Sequence, residues 1–197
     1  MRIIAGEFRG RTIKAPKGEG TRPTTDRVRE SLMSSVNSAR GGFEGAVVLD
    51  AFAGSGALGL EALSRGAANA RFCERDGAAF KVVCANVEAL GLGSTRARVV
   101  RADVVKEPPR GVRPPFDLVF LDPPYALSAQ EALGVPAALA AHGALAEDAL
   151  VVYEHASASN ADADAAAAAC GLALASRKKY GDTVVDILRP VAPNDPE

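Results

Sequence analysis

Ala46-Val47-Val48-Leu49-Asp50-Ala51-Phe52-Ala53-Gly54-Ser55-Gly56-Ala57-Leu58-Gly59 is the stretch on which the fold turns. Its first five residues read as a buried strand that stops on a carboxylate. The glycines at 54 and 56 then lead into residues 57–65, a helical stretch halted by Gly66. Glycine permits positive φ and close approach of the backbone to a ligand. A strand, a glycine turn and a helix form the opening unit of an open α/β sheet, which holds ligands at the carboxyl ends of its strands.

The alternation continues downstream. Residues 71–74 read as a second strand, and the helix after Asp76 carries Phe80, Val83, Cys84, Val87 and Leu90 on one face before Gly91 ends it. Residues 96–102 and 116–121 give a third and a fourth strand. Ser128 and Glu131 predict a capping box opening the next helix, which stops near Gly143. A fifth strand at 150–154, an alanine-rich helix at 162–170 and strands at 172–177 and 183–188 follow. The last two flank Tyr180-Gly181-Asp182 and should pair antiparallel. Upstream, residues 2–7 and 11–15 read as a hairpin turning at Phe8-Arg9-Gly10. Residues 21–24 connect it to a helix capped by Thr24 or Thr25, with Val28, Leu32 and Val36 as its apolar stripe. This divides the chain into a basic hairpin and connector at 1–23, an α/β domain at 24–190 and a frayed tail at 191–197.

At 197 residues the chain buries enough surface to fold without staples. Cys73, Cys84 and Cys170 are too scattered for a disulfide framework, and with only His142 and His155 present no zinc site is expected. No apolar run reaches the ~20 residues that cross a membrane, and no signal-peptide core is visible, so a cytoplasmic protein is expected. The net charge of -1 hides an asymmetry. Residues 1–29 hold eight basic and three acidic side chains, a balance of +5 that leaves -6 for the rest. A basic arm on an acidic body suggests a phosphate-bearing partner, against the plainer reading of a solvated face.

The glycine turn alone suits a nicotinamide cofactor and S-adenosylmethionine equally. Glu74 ends the second strand, 18 residues beyond Gly56, where a carboxylate can accept from both ribose hydroxyls. Asp50 tilts the reading toward the methyl donor: it would repel a pyrophosphate but suits an ammonium group. Asp103, at the end of the third strand, can accept from an adenine amine. The expected cofactor set is therefore Asp50, Phe52, Ala53, Gly54, Ser55, Gly56, Glu74, Arg75, Asp103 and Val104.

The fourth strand runs into Asp122-Pro123-Pro124-Tyr125. Standing alone this could be a plain turn. After a glycine turn it fits methylation of an exocyclic amine on a flat ring. Such an amine is a poor nucleophile because its lone pair is delocalised. Two acceptors on its hydrogens, the Asp122 carboxylate and the Pro123 carbonyl, localise that pair. Proline fixes the carbonyl direction and offers no competing N–H. Tyr125 can stack on the base, worth about 1–3 kcal/mol.

Beyond these motifs, four stretches resemble the bacterial 16S ribosomal RNA guanine-N2 methyltransferase family: residues 1–6, 21–30, 58–67 and 180–183. The resemblance implies a Rossmann-like class I methyltransferase with a seven-stranded, mostly parallel sheet, an antiparallel terminal strand and an N-terminal β-hairpin. It implies S-adenosyl-L-methionine as donor, Thr24 and Thr25 near the donor pocket, and catalysis by the tetrapeptide. The hairpin would grip 16S rRNA in an assembled or assembling 30S subunit through Arg2, Arg9, Arg11, Lys14, Lys17, Arg22 and Arg27. A monomer acting without a metal is expected. Two positions depart from the family pattern: Cys73 replaces an apolar residue, and Glu7 stands where a basic one is common. The tetrapeptide also occurs in adenine-N6 and glutamine-N5 methyltransferases, which remain alternatives, with an NAD-dependent dehydrogenase more distant.

Overall fold

The computed structural model describes residues 1–16 and 26–191. Its elements are α1 (Asp26–Arg40), β1 (Val47–Asp50), α2 (Ala57–Ser64), β2 (Asn69–Glu74), α3 (Gly77–Ala89), β3 (Ala97–Arg101), β4 (Phe116–Leu121), α4 (Ala129–Ala141), β5 (Leu145–Ala156), α5 (Asn160–Ala169), β6 (Leu172–Tyr180) and β7 (Thr183–Pro190). A 3₁₀ turn at Ser157–Ser159 joins β5 to α5. Every residue of β1 is buried, as a central parallel strand covered on both faces requires. Alternate side chains enter different cores. Val48, Leu118 and Phe120 join the one roofed by α1, α2, α3 and the N-terminal arm. Leu49, Val119 and Leu121 join the one roofed by α4 and α5.

The seven strands lie in the order β3-β2-β1-β4-β5-β7-β6. Strands β1 to β5 are mutually parallel, while β7 is antiparallel to both β5 and β6. The terminal hairpin therefore folds as expected, with β7 slotted inside β6. The connection direction reverses between β1 and β4, the switch point where open α/β sheets take their ligands. Asp50 pairs with Phe120 in register, so two motifs some seventy residues apart end side by side. The capping box at Ser128 and Glu131 is formed, and Asp76 caps α3 by accepting from Ala78 and Ala79 N–H.

Two expectations are corrected in extent. The fifth strand begins at Leu145 rather than 150, because Leu145 already pairs with Phe116 across a bulge. The N-terminal hairpin does not form two regular strands. Its pairing is a single bridge, Arg2 to Thr12, flanked by Ile3 N–H to Arg11 O at 2.9 Å and Ile13 N–H to Met1 O at 3.0 Å. The reason is competition for donors. The buried Glu61 carboxylate accepts from Ile4 and Ala5 N–H, and Ser64 Oγ accepts from Phe8 N–H. Glu7 N–H goes to the Ser64 carbonyl at 2.7 Å. The arm is thus strapped to α2, with Ile3, Phe8 and Ile13 in the core. The expected connector, the Thr24 or Thr25 cap and the tail from 192 lie outside the described residues.

Candidate active site

At the carboxyl ends of β1, β2, β3, β4 and β5 the sheet opens into a cleft of about 1220 Å³. The turn after β1 forms its floor. Gly54 takes φ 54°, and nothing lies within 4 Å of where its Cβ would be, so the backbone is bare toward the cleft. Gly56, at φ 79°, faces inward: a Cβ there would meet Val83 Cγ2 at 2.7 Å. Gly59 lets α2 close on β2, since its Cβ would come 2.4 Å from the Phe72 ring. Gly54 therefore admits a ligand, while the other two glycines permit packing.

Three carboxylates border this turn. Asp50 is 3% exposed, and its Oδ2 accepts from Gly59 N–H at 3.0 Å. Burial raises its pKa to about 7, against the pull of the Gly59 N–H, and the neighbouring Asp122 and Glu74 push the same way. Glu74 clasps the turn, accepting from Gly54 N–H and Asp76 N–H, both at 2.8 Å. Each oxygen retains a lone pair for a ligand. Asp103 accepts from Val105 N–H and pairs with Arg75 at 3.6 Å, with Val104 buried beneath. Phe52, Ala53 and Ser55 complete the wall. A basin so rich in carboxylates favours a cationic ligand and disfavours a pyrophosphate. Burial keeps the Cys73 thiol protonated, its pKa about 11, consistent with a packing role.

Beside this basin, Asp122 and Pro123 follow β4. The protein mass around Asp122 raises its pKa to about 6, although the carboxylate itself is open to water in the cleft, which screens it. The Pro124 carbonyl is taken by Leu127 N–H at 2.9 Å, whereas no described residue donates to the Pro123 carbonyl. Tyr125 stands 70% exposed at the rim. Sequence reasoning left His155 outside any motif, yet the structure brings it, with Tyr153 and Glu154, into the same cleft. His155 stacks on Tyr153 at 4.9 Å, and its Nε2 lies 3.0 Å from Asp186 Oδ2. Asp186 is also gripped by Arg177. Burial alone would raise its pKa, but the Arg177 and His155 contacts hold it below the usual carboxylate range. The signal that could have exposed these residues is the strand order, which sets β5 beside β4.

The cations of the arm divide. Arg9, Lys14 and Arg27 are exposed. Arg2 pairs with Asp26 at 3.2 Å, and Arg11 donates to the Ala89 carbonyl at 2.6 Å. Glu7, the departure from the family pattern, is matched by Arg96 at 2.9 Å, whose guanidinium lies over Phe8. Asn86 ties arm to turn: its carboxamide pairs with Lys14 N–H and carbonyl and donates to the Ser55 carbonyl at 2.8 Å. Lys17, Arg22, Thr24 and Thr25 fall outside the described residues. Among the described residues no helix is long and apolar enough to cross a membrane.

A sequence profile of the family described as conserved hypothetical protein 95 matches residues 1–189. The putative rRNA methyltransferase YlbH of Bacillus subtilis is 35% identical over 191 residues, which is 96% of this chain and 98% of that one. The ribosomal RNA small subunit methyltransferase D of Escherichia coli is 41% identical over 156 residues, 78% and 74% of the two chains. Among solved structures, the putative methyltransferase yhhF of Escherichia coli matches with a TM-score of 0.79 at 33% identity, covering 98% and 99%. The turn, the tetrapeptide, the strand order and these relatives agree, and the chain belongs to the conserved hypothetical protein 95 family, that of the small-subunit ribosomal RNA methyltransferases of type D.

Proposed function

We propose that this protein transfers a methyl group from S-adenosyl-L-methionine to the exocyclic N2 amine of one guanine in 16S rRNA, within an assembled or assembling small subunit. The observation that carries the reading is the placement of the Asp122 carboxylate and the Pro123 carbonyl, to which no described residue donates, one strand away from the bare Gly54 turn, in a single cleft. The donor, when bound, supplies an electrophilic methyl on a positively charged sulfur that departs as a neutral thioether. The residues present fit it: Gly54 leaves room for it, and the carboxylate basin matches its charge. Asp50 would hold the ammonium, Glu74 the ribose hydroxyls and Asp103 the adenine amine.

On the substrate side, Asp122 and the Pro123 carbonyl accept the two amine hydrogens and turn the nitrogen lone pair toward the methyl group. With its pKa near 6, Asp122 is ionised at neutral pH. It stabilises the cationic amine that forms as nitrogen bonds to carbon, then accepts the released proton. Most of the acceleration is positional, because the reacting atoms must be held about 3–3.5 Å apart and in line. Tyr125 receives the extruded base by stacking, and the exposed Arg9, Lys14 and Arg27 approach the phosphates.

The test uses small-subunit particles from cells lacking the gene, incubated with the protein and labelled donor and then digested to nucleosides. Labelled N2-methylguanosine is the expected product. N6-methyladenosine would move the protein to the adenine class, and label in a protein glutamine to the amide class.

A further inference from the structure

Strands β4 and β5 are parallel and pair Leu121 with Tyr153. Asp122 follows the end of β4, and Glu154 is the residue after Tyr153 on β5, so the two are neighbours across this edge of the cleft. Side chains alternate along β5, so Glu154 falls on the face of Val152 rather than that of Tyr153, while Asp122 lies near enough to Asp50 for the two charges to act on each other. Both line the same cleft. With the Pro123 carbonyl, they bring three hydrogen-bond acceptors to one wall of the cleft.

A ligand held by its amine at Asp122 presents the atom beside that amine to Glu154. In guanine the atom is N1, which carries a hydrogen, so the edge offers three donor hydrogens in a row. In adenine the neighbour is N1 and in cytosine N3, both bare lone pairs that a carboxylate repels. In a side-chain amide it is the carbonyl oxygen, repelled likewise. We infer that Glu154 accepts the N1–H of the target guanine and so selects guanine over adenine, cytosine and glutamine side chains. The inference rests on the guanine-N2 reading above and assigns the residue that enforces it. Glu154 touches the base but takes no part in bond making, so its loss should fall on substrate choice while the donor pocket is spared.

The experiment uses small-subunit particles reconstituted with RNA that carries either guanine or 2-aminopurine at the mapped target. 2-Aminopurine keeps the C2 amine, but its N1 is a lone-pair acceptor. For the unaltered protein, kcat/KM should be about 100-fold lower or more on 2-aminopurine, as expected when a polar site meets an analogue lacking its hydrogen bond. Glu154→Gln should lower kcat/KM on guanine by about tenfold and narrow the gap to within about tenfold, since its amide N–H can donate to the bare N1. Glu154→Ala should lose the preference without gaining rate on 2-aminopurine. Donor affinity, measured by calorimetry, should be unchanged in both variants and shows that they are folded. Equal rates on the two bases for the unaltered protein overturn the inference. So does a gap that persists undiminished in both variants, which would assign the discrimination to the missing O6. If the unaltered protein forms no N2-methylguanosine on guanine particles, the functional reading itself fails and this inference goes with it.

Discussion

Asp50 holds its charge against its surroundings. The folded carboxyl titrates near pH 7, whereas an unfolded chain releases that proton near 3.8. Between those values the folded state binds more protons, so this group's contribution to stability falls as pH rises. Asp50→Asn should therefore raise the melting temperature at pH 8, by about 2–4 °C for each kcal/mol relieved. The gain should shrink toward pH 4, and donor affinity should drop; thermal melts across pH with and without donor check all three. Asp122 differs because, in the reaction proposed above, its proton matters. Asp122→Ala should lower kcat by about 10²–10⁴-fold while donor affinity stays within twofold. In the unaltered protein the rate should fall on acidification through pH about 6, as Asp122 protonates and loses its grip. Asp122→Asn should flatten that limb of the profile. Both carboxylates were legible in the sequence because each closes an apolar run beside a turn motif. Glu154 and His155 were not, since their meaning depends on β5 lying next to β4, a fact of tertiary pairing.

At the scale of elements, the strands and helices of the sheet followed from apolar runs punctuated by glycine and by caps such as Asp76 and Ser128. The arm did not follow. Residues 2–7 have a strand-like pattern, but their donors are claimed by Glu61 and Ser64 on α2, more than fifty residues away. Gly6 shows how tight that seat is. It takes φ 84°, and a Cβ would lie 1.7 Å from the Ser64 carbonyl oxygen. Gly6→Ala should dislodge the arm, costing about 1–3 kcal/mol in left-handed strain besides the overlap; faster protease cleavage within the first sixteen residues is the readout. The β6–β7 hairpin offers a second case. Asp186 is 1% exposed and held by Arg177 at 2.7 Å through two nitrogens. Arg177→Ala strips both of its hydrogen bonds from that buried charge and should destabilise the fold by about 3–5 kcal/mol, seen as a lower urea midpoint.

For the molecule as a whole, the net charge of -1 averages two opposed regions: a carboxylate basin, which suits a cationic ligand, and a basic arm, which suits a polyanion. The average conceals both, which is why residue-by-residue charge along the chain was more informative than its total. Arg9 is the cleanest probe of the arm, because Arg2 and Arg11 already have partners. Arg9→Ala should weaken RNA binding and reduce the salt slope by about one unit if it meets a phosphate; binding titrated from low to high salt measures this, and an unchanged slope returns Arg9 to the solvated surface.

The seat of the arm on α2 has a practical corollary for anyone shortening the protein. A basic leader that merely caught RNA could be trimmed and leave a working catalyst that binds its target poorly. Here, cutting after residue 16 would strip Ile3, Phe8 and Ile13 from the interior and leave Glu61 without the amide hydrogens of Ile4 and Ala5. The truncated chain should fail to fold before it fails to bind, so the proposed RNA grip of the arm has to be tested by single substitutions rather than by deletion.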